Sequence, residues 1–110
     1  MRAGGRGGRR IAELRDFRIM VLDDFEWDDD KAAENIRKHR IDFMEAMRVF
    51  DDPLYIVKVD DDAFGEQRFV AIGYAPMKPL AVTYTERADR IRIISARKAT
   101  RHEQRLYHQG

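Results

Sequence analysis

At 110 residues, with 44% hydrophobic and 37% charged side chains, the chain suits one folded domain with a modest core rather than a disordered polymer. The absence of cysteine excludes a disulfide scaffold and a thiolate metal site, and no apolar run approaches the roughly 20 residues that span a bilayer. The net charge of +1 conceals segregation: residues 23–62 carry fourteen acids against six bases, and residues 79–110 seven bases against three acids, which suggests a phosphate-facing surface in the C-terminal half.

Residues 1–10 hold four Gly and four Arg, the composition of a flexible basic tail. A short helix over 11–19 is the most this segment suggests. Residues 1–20 are expected to be an extension and 21–110 the single domain, with folded structure starting near Val21. Without an apolar signal stretch at the N-terminus, the expected location is cytoplasmic.

Phe25 and Trp27 alternate with Glu26 and Asp28, as in a short strand. One of Asp28, Asp29 and Asp30 then caps a helix reaching about His39, with Ala32, Ala33 and Ile36 as its apolar stripe. Asp42 and Glu45 stand at capping-box spacing. Phe43, Ala46, Met47 and Phe50 recur at the period of a helix with one buried face. Asp51-Asp52-Pro53 ends it, because proline disfavours helix in the residue before it.

Four strand-like runs follow, at 54–59, 67–74, 79–86 and 90–96, joined by short turns that imply an antiparallel meander. Thr100 and Glu103 have the spacing of a capping box for a last helix. The order β-α-α-β-β-β-β-α predicts an α+β fold. A twisted antiparallel sheet of four to five strands carries two N-terminal helices on one face and leaves the other partly open.

The hairpin at 84–97 carries Arg87, Arg90, Arg92 and Arg97 with Tyr84 and Ser95 among them. Guanidinium groups on a sheet surface suit a phosphodiester, since each presents a planar fork of donors that stays charged.

These residues, together with Phe25-Glu26-Trp27-Asp28, Lys31, Asn35, Lys38-His39, Phe43, Glu45-Ala46, Val49-Phe50, Asp52-Pro53, Glu66, Arg68, Gly73, Glu103 and Tyr107, closely resemble the BrnT family, the toxin half of a bacterial type II toxin–antitoxin pair. The resemblance implies a RelE-like fold and a ribonuclease that arrests translation. It also implies neutralisation by a BrnA-like antitoxin with a ribbon-helix-helix part, in a heterotetramer that touches operator DNA only through the antitoxin. Arg40 and Ala88 stand where the family often has Gly, which puts both turns in question.

Metal-independent RNA cleavage needs cations around the phosphorane, a base for the 2′-hydroxyl and an acid for the leaving oxygen. Arg68, Arg87, Arg92 and Arg97 are the candidates for phosphate stabilisation. Glu66 and Glu86 are candidates for the base, with Lys38 and His39 as alternatives, and Tyr84 or Tyr107 could stack a base or donate a proton. Strand alternation puts Arg90 and Arg92 on one side and Arg97 on the other unless a bulge intervenes. Glu86 could instead pair with Arg90 or Arg92 across the hairpin, and Glu103 could belong only to a cap. No cofactor and no metal are expected, because the aspartate clusters lack EF-hand spacing and the histidines lack a zinc pattern. The competing readings are a non-catalytic co-repressor that acts through its antitoxin, and a gyrase-poisoning toxin of the same fold.

Overall fold

The computed structural model describes residues 19–60 and 65–109; the basic tail and all but the last residue of the helix expected over 11–19 lie outside them, and that residue, Ile19, is in a strand. The chain forms β1 (Ile19–Leu22), β2 (Phe25–Asp28), α1 (Asp29–His39), α2 (Phe43–Ala46), a 3-10 helix (Met47–Asp51), β3 (Ile56–Asp60), β4 (Arg68–Ala75), β5 (Lys78–Arg87), β6 (Arg90–Lys98) and α3 (Arg101–Gln109). The fold class is α+β and β3 to β6 form the antiparallel meander, both as expected, but the sheet extends beyond the expected four to five strands. It has six strands in the order β1-β2-β6-β5-β4-β3, and β2 lies parallel to β6.

The extra strand is β1, which pairs with β2 through the turn at Asp23-Asp24. Asp23 is left-handed at φ 56°, a conformation its short polar side chain tolerates. Strand β1 therefore includes Ile19 and Met20, ahead of the expected start near Val21.

The helix starts follow their caps. Asp28 Oδ1 accepts from the N–H groups of Asp30 and Lys31, and Asp42 Oδ1 from Met44. Glu45 does not close a box on Asp42; its carboxylate meets Lys78 at 3.0 Å. The expected second helix is one α-turn that tightens into 3-10 geometry. Asp52 is the reason for the stop, since its two carboxylate oxygens take the N–H of Leu54 and the N–H of Tyr74.

Gly73 lets that segment lie against β4. A Cβ there would sit 2.9 Å from Tyr55 Cβ, 3.1 Å from Asp52 Oδ2 and 3.2 Å from Val49 Cγ1. Gly73→Ala should lower stability by about 1–3 kcal/mol through overpacking, read as a lower denaturation midpoint. An unchanged midpoint would show that the 3-10 segment yields freely.

The main core lies between the sheet and the N-terminal helices, around Trp27, Phe43, Ala46, Val49, Leu80, Val82, Tyr84, Ile93 and Ala96. A smaller cluster of Val70, Ile72, Ala81 and Ala99 occupies the opposite face under Tyr107 of α3. Of the stripe expected on α1, Ala32 is half-buried while Ala33 and Ile36 are exposed. Asn35 is the buried residue, at 4% exposure. Its amide stands in for a strand. β2 pairs with β6 only as far as Arg92; beyond it, Asn35 Nδ2 donates to the carbonyls of Ala96 and Ile41, and Asn35 Oδ1 accepts from Ala96 N–H.

Both positions that favour glycine keep the left-handed turn. Arg40 ends α1 at φ 60°, its N–H bonded to Ile36 O, and Ala88 has φ 55°. Each non-glycine residue there costs on the order of 1 kcal/mol.

Candidate nucleic-acid interface

The hairpin β5–β6 carries a bulge: Thr83 faces Ser95 while Tyr84 faces Ile93, so Ile94 has no partner. That one extra residue inverts the alternation along β6. Arg92 faces Thr85 and Arg97 faces Ala81, and both arginines project from the face opposite Tyr84 and Leu80. The arginines that strict alternation would have separated therefore share one side.

A row crosses this face. Glu26 lies beside Arg92, and Arg92 beside Thr85. Because Phe69 faces Tyr84, Arg68 lies beside Thr85, and beyond it comes Asp60. Neighbours in such a row are about 5 Å apart, so Arg68 and Arg92 flank Thr85 on the same face. Arg87 is two positions further along the same side of β5 and faces Arg90. Thr85 is buried, with Oγ1 donating to Gln67 O at 2.6 Å.

The charges differ in how they are matched. Arg92 Nη1 meets Glu26 Oε2 at 2.8 Å, with both side chains largely buried. Arg97 makes a two-pronged contact with Glu103, at 2.8 and 2.9 Å. Arg87 meets Glu66 loosely at 3.5 Å, and both are exposed. Arg68 Nε is shielded from water and meets no acceptor among the described residues, an unsatisfied donor that costs about 1–3 kcal/mol.

Glu103 does two jobs. It completes the capping box with Thr100, accepting from Thr100 N–H while its own N–H donates to Thr100 Oγ1. It also ties α3 to β6 through Arg97 and to β3 through Lys58 at 3.2 Å. The Arg97 hydrogen bond, with help from Thr100 and Lys58, holds its carboxyl at about 2, well below the ordinary 4.5, although burial pushes the other way. The same contact raises the Arg97 pKa.

Four candidates fall away from the arginine row. Glu86 shares the parity of Tyr84 and faces Ile91 rather than Arg90 or Arg92, so the strand directs it to the opposite side from Arg87. Tyr84 is a core residue at 6% exposure, packed on Phe50 and Phe69; burial, with Tyr55 and Glu86 nearby, pushes it up to about 12. It presents no ring for a base. Lys38 bonds to Glu34 at 3.3 Å. With His39 it lines a groove between α1 and β6, near Ser95, of about 220 Å³, and none of the arginines of the row lines that groove.

Tyr107 is on the arginine-bearing face but is occupied, donating to Asp52 Oδ2 at 2.7 Å. That bond and burial push it up to about 12. Burial alone would raise Asp52, but the N–H groups of Tyr74 and Leu54 and the Tyr107 hydroxyl outweigh it and hold its pKa below the ordinary value. Glu26 is the residue that sequence reasoning passed over. Its alternation with Phe25 and Trp27 marked the strand, but only the long-range parallel pairing reveals Arg92 as its neighbour.

A family model described as "Ribonuclease toxin, BrnT, of type II toxin-antitoxin system" matches residues 27–103. The chain belongs to the BrnT family. The match spans the row from Arg68 to Arg92, the bulge and the Arg97–Glu103 clamp, all of which therefore sit in the part of the chain that the family defines. Membership makes it a ribonuclease toxin by family and implies an antitoxin partner. No curated protein matches the chain. Among the described residues, no helix is long and apolar enough to cross a membrane, and no group of three or more His, Asp or Glu is placed to hold a metal ion.

Proposed function

We propose that this BrnT chain is a metal-independent endoribonuclease of RelE-like fold that acts in the cytoplasm to arrest translation. A BrnA-like ribbon-helix-helix antitoxin restrains it in a heterotetramer, which represses its own operon through the antitoxin's contact with operator DNA. The catalytic domain starts at β1 (Ile19–Leu22) and does not require the residues ahead of it.

The observation that carries the reading is the row Arg92–Thr85–Arg68, with Arg87 two steps along the same face. Arg68 and Arg87 grip the scissile phosphate with the terminal nitrogens of their guanidinium groups. Arg92, held by Glu26, fixes the field beside them. Glu66, loosely tied to Arg87, takes the proton from the ribose 2′-hydroxyl. The 2′-oxygen bonds to phosphorus, the P–O5′ bond breaks, and the leaving oxygen takes a proton from water at the open face. Arg97, with both terminal nitrogens on Glu103, secures α3 instead of binding RNA.

Arg68→Ala should lower RNA cleavage in EDTA by about 10²- to 10³-fold, whereas Glu86→Gln, on the other face, should leave it near wild type. Equal activity in both variants would remove the row from the mechanism. The pairing of Arg92 with Glu26 and of Arg97 with Glu103 favours the second reading, an antitoxin-binding co-repressor without catalysis. That reading predicts altered operator affinity and no growth arrest when the chain is expressed alone.

A further inference from the structure

A further concave surface lies on the side of the sheet away from the arginine row. The left-handed Arg40 at the end of α1 opens onto a cleft of about 380 Å³. Ile41, Pro79 and Leu80 form its floor, and Met77, 86% exposed at the β4–β5 turn, stands at its lip. Leu80 and Lys98 face each other across β5 and β6, with Leu80 in the main core, so the cleft opens on the helix-packed side. Arg40, Lys78 and Lys98 line the rim with His39, and no carboxylate is among the lining residues. Lys78 is answered by Glu45. Arg40 and Lys98 have no acidic partner among the described residues.

An aliphatic floor under uncompensated cations fits an acidic peptide better than RNA. It places donors for carboxylates around a greasy anchor point, and apart from the His39 imidazole it has no ring on which a base could stack. We infer that this cleft receives an acidic segment of the antitoxin, anchored by an aliphatic side chain against Ile41 and Leu80. The inference rests on the pairing with an antitoxin and is independent of RNA cleavage. Docking there leaves the arginine row uncovered, so this contact supplies affinity while another part of the antitoxin would have to cover the row. The left-handed Arg40 then has a role: a strained residue that glycine would relieve is the one that carries a rim charge.

The test titrates a BrnA-like antitoxin from the same genome into the full-length protein by calorimetry. Lys98→Glu should weaken binding about 10- to 100-fold, and Arg40→Gly about 10-fold. Arg40→Gly should also raise the melting temperature, which separates lost binding from lost folding. Raising salt should weaken wild-type binding more than that of Lys98→Glu. RNA cleavage by both variants should match wild type. Antitoxin affinities unchanged in both variants would overturn the inference. So would loss of affinity for a single-stranded RNA 12-mer in place of the antitoxin, or a wild-type self-association that Lys98→Glu abolishes. If wild type binds but cuts no RNA and the variants still lose antitoxin affinity, the docking site stands and the nuclease reading falls.

Discussion

Glu103→Ala should be among the most damaging single substitutions in this chain. The carboxylate is 3% exposed and serves Arg97, Lys58 and the Thr100 cap together. Arg97 and Lys58 are partly exposed and can turn to water, so the loss falls on the Thr100 cap and on the docking of α3, at about 2–3 kcal/mol, a large share of the roughly 5–15 kcal/mol that holds a domain folded. Glu103→Gln should cost less, because an amide can still accept from Thr100 N–H. The linkage to pH has a definite sign. With the folded pKa lowered to about 2 from 4.5, the stabilisation is complete above about 4.5 and is lost as pH falls toward 2. Screening by solvent at the partly exposed Arg97 holds it to about 1–2 kcal/mol. Urea titrations at pH 7 and near pH 2 measure it. Wild type and Glu103→Ala should differ widely at pH 7 and approach each other near pH 2. Matching midpoints at pH 7 would show that α3 is held by other means.

Asn35→Ala should be comparably severe. The side chain makes three hydrogen bonds in a buried setting, two to Ala96 and one to Ile41 O. Its loss leaves the open edge of β6 unsatisfied, at about 3 kcal/mol or more. Asn35→Asp keeps the acceptor for Ala96 N–H but sets a carboxylate against two carbonyl oxygens. It should be least stable at neutral pH and recover as acid protonates it. Hydrogen exchange at Ala96 N–H reads the bond directly: protection should collapse in Asn35→Ala. Retained protection would mean that another group covers this edge.

The local signals in the sequence were legible where the chemistry was local. Asp28, Asp42 and Thr100 each start a helix, as their spacing implied. The four C-terminal runs became strands close to the expected bounds. Three features were hidden because they depend on distant partners or on turns without a glycine signature. The β1–β2 hairpin turns on Asp23-Asp24 rather than Asn-Gly. The parallel pairing of β2 with β6 joins residues 66 positions apart, as in Glu26 and Arg92. The bulge at Ile94 lies in an apolar run with nothing to mark it, yet it decides which side Arg97 occupies. For the candidate site, the arginine identities were readable and their acidic partners only in part. Glu86 faces Ile91, because alternation along β5 sends it to the helix-packed side, away from the arginines that stand next to it in sequence.

The account turns on whether the arginine face cuts RNA unaided. Purified chain, freed of antitoxin, should be incubated with a defined RNA in EDTA and the product ends mapped. The account predicts cleavage that leaves a 2′,3′-cyclic phosphate and a 5′-hydroxyl, lost when the ribose 5′ of the cut is 2′-deoxy and strongly reduced in Arg68→Ala. Intact RNA, or cleavage that appears only when Mg²⁺ is restored, would contradict it.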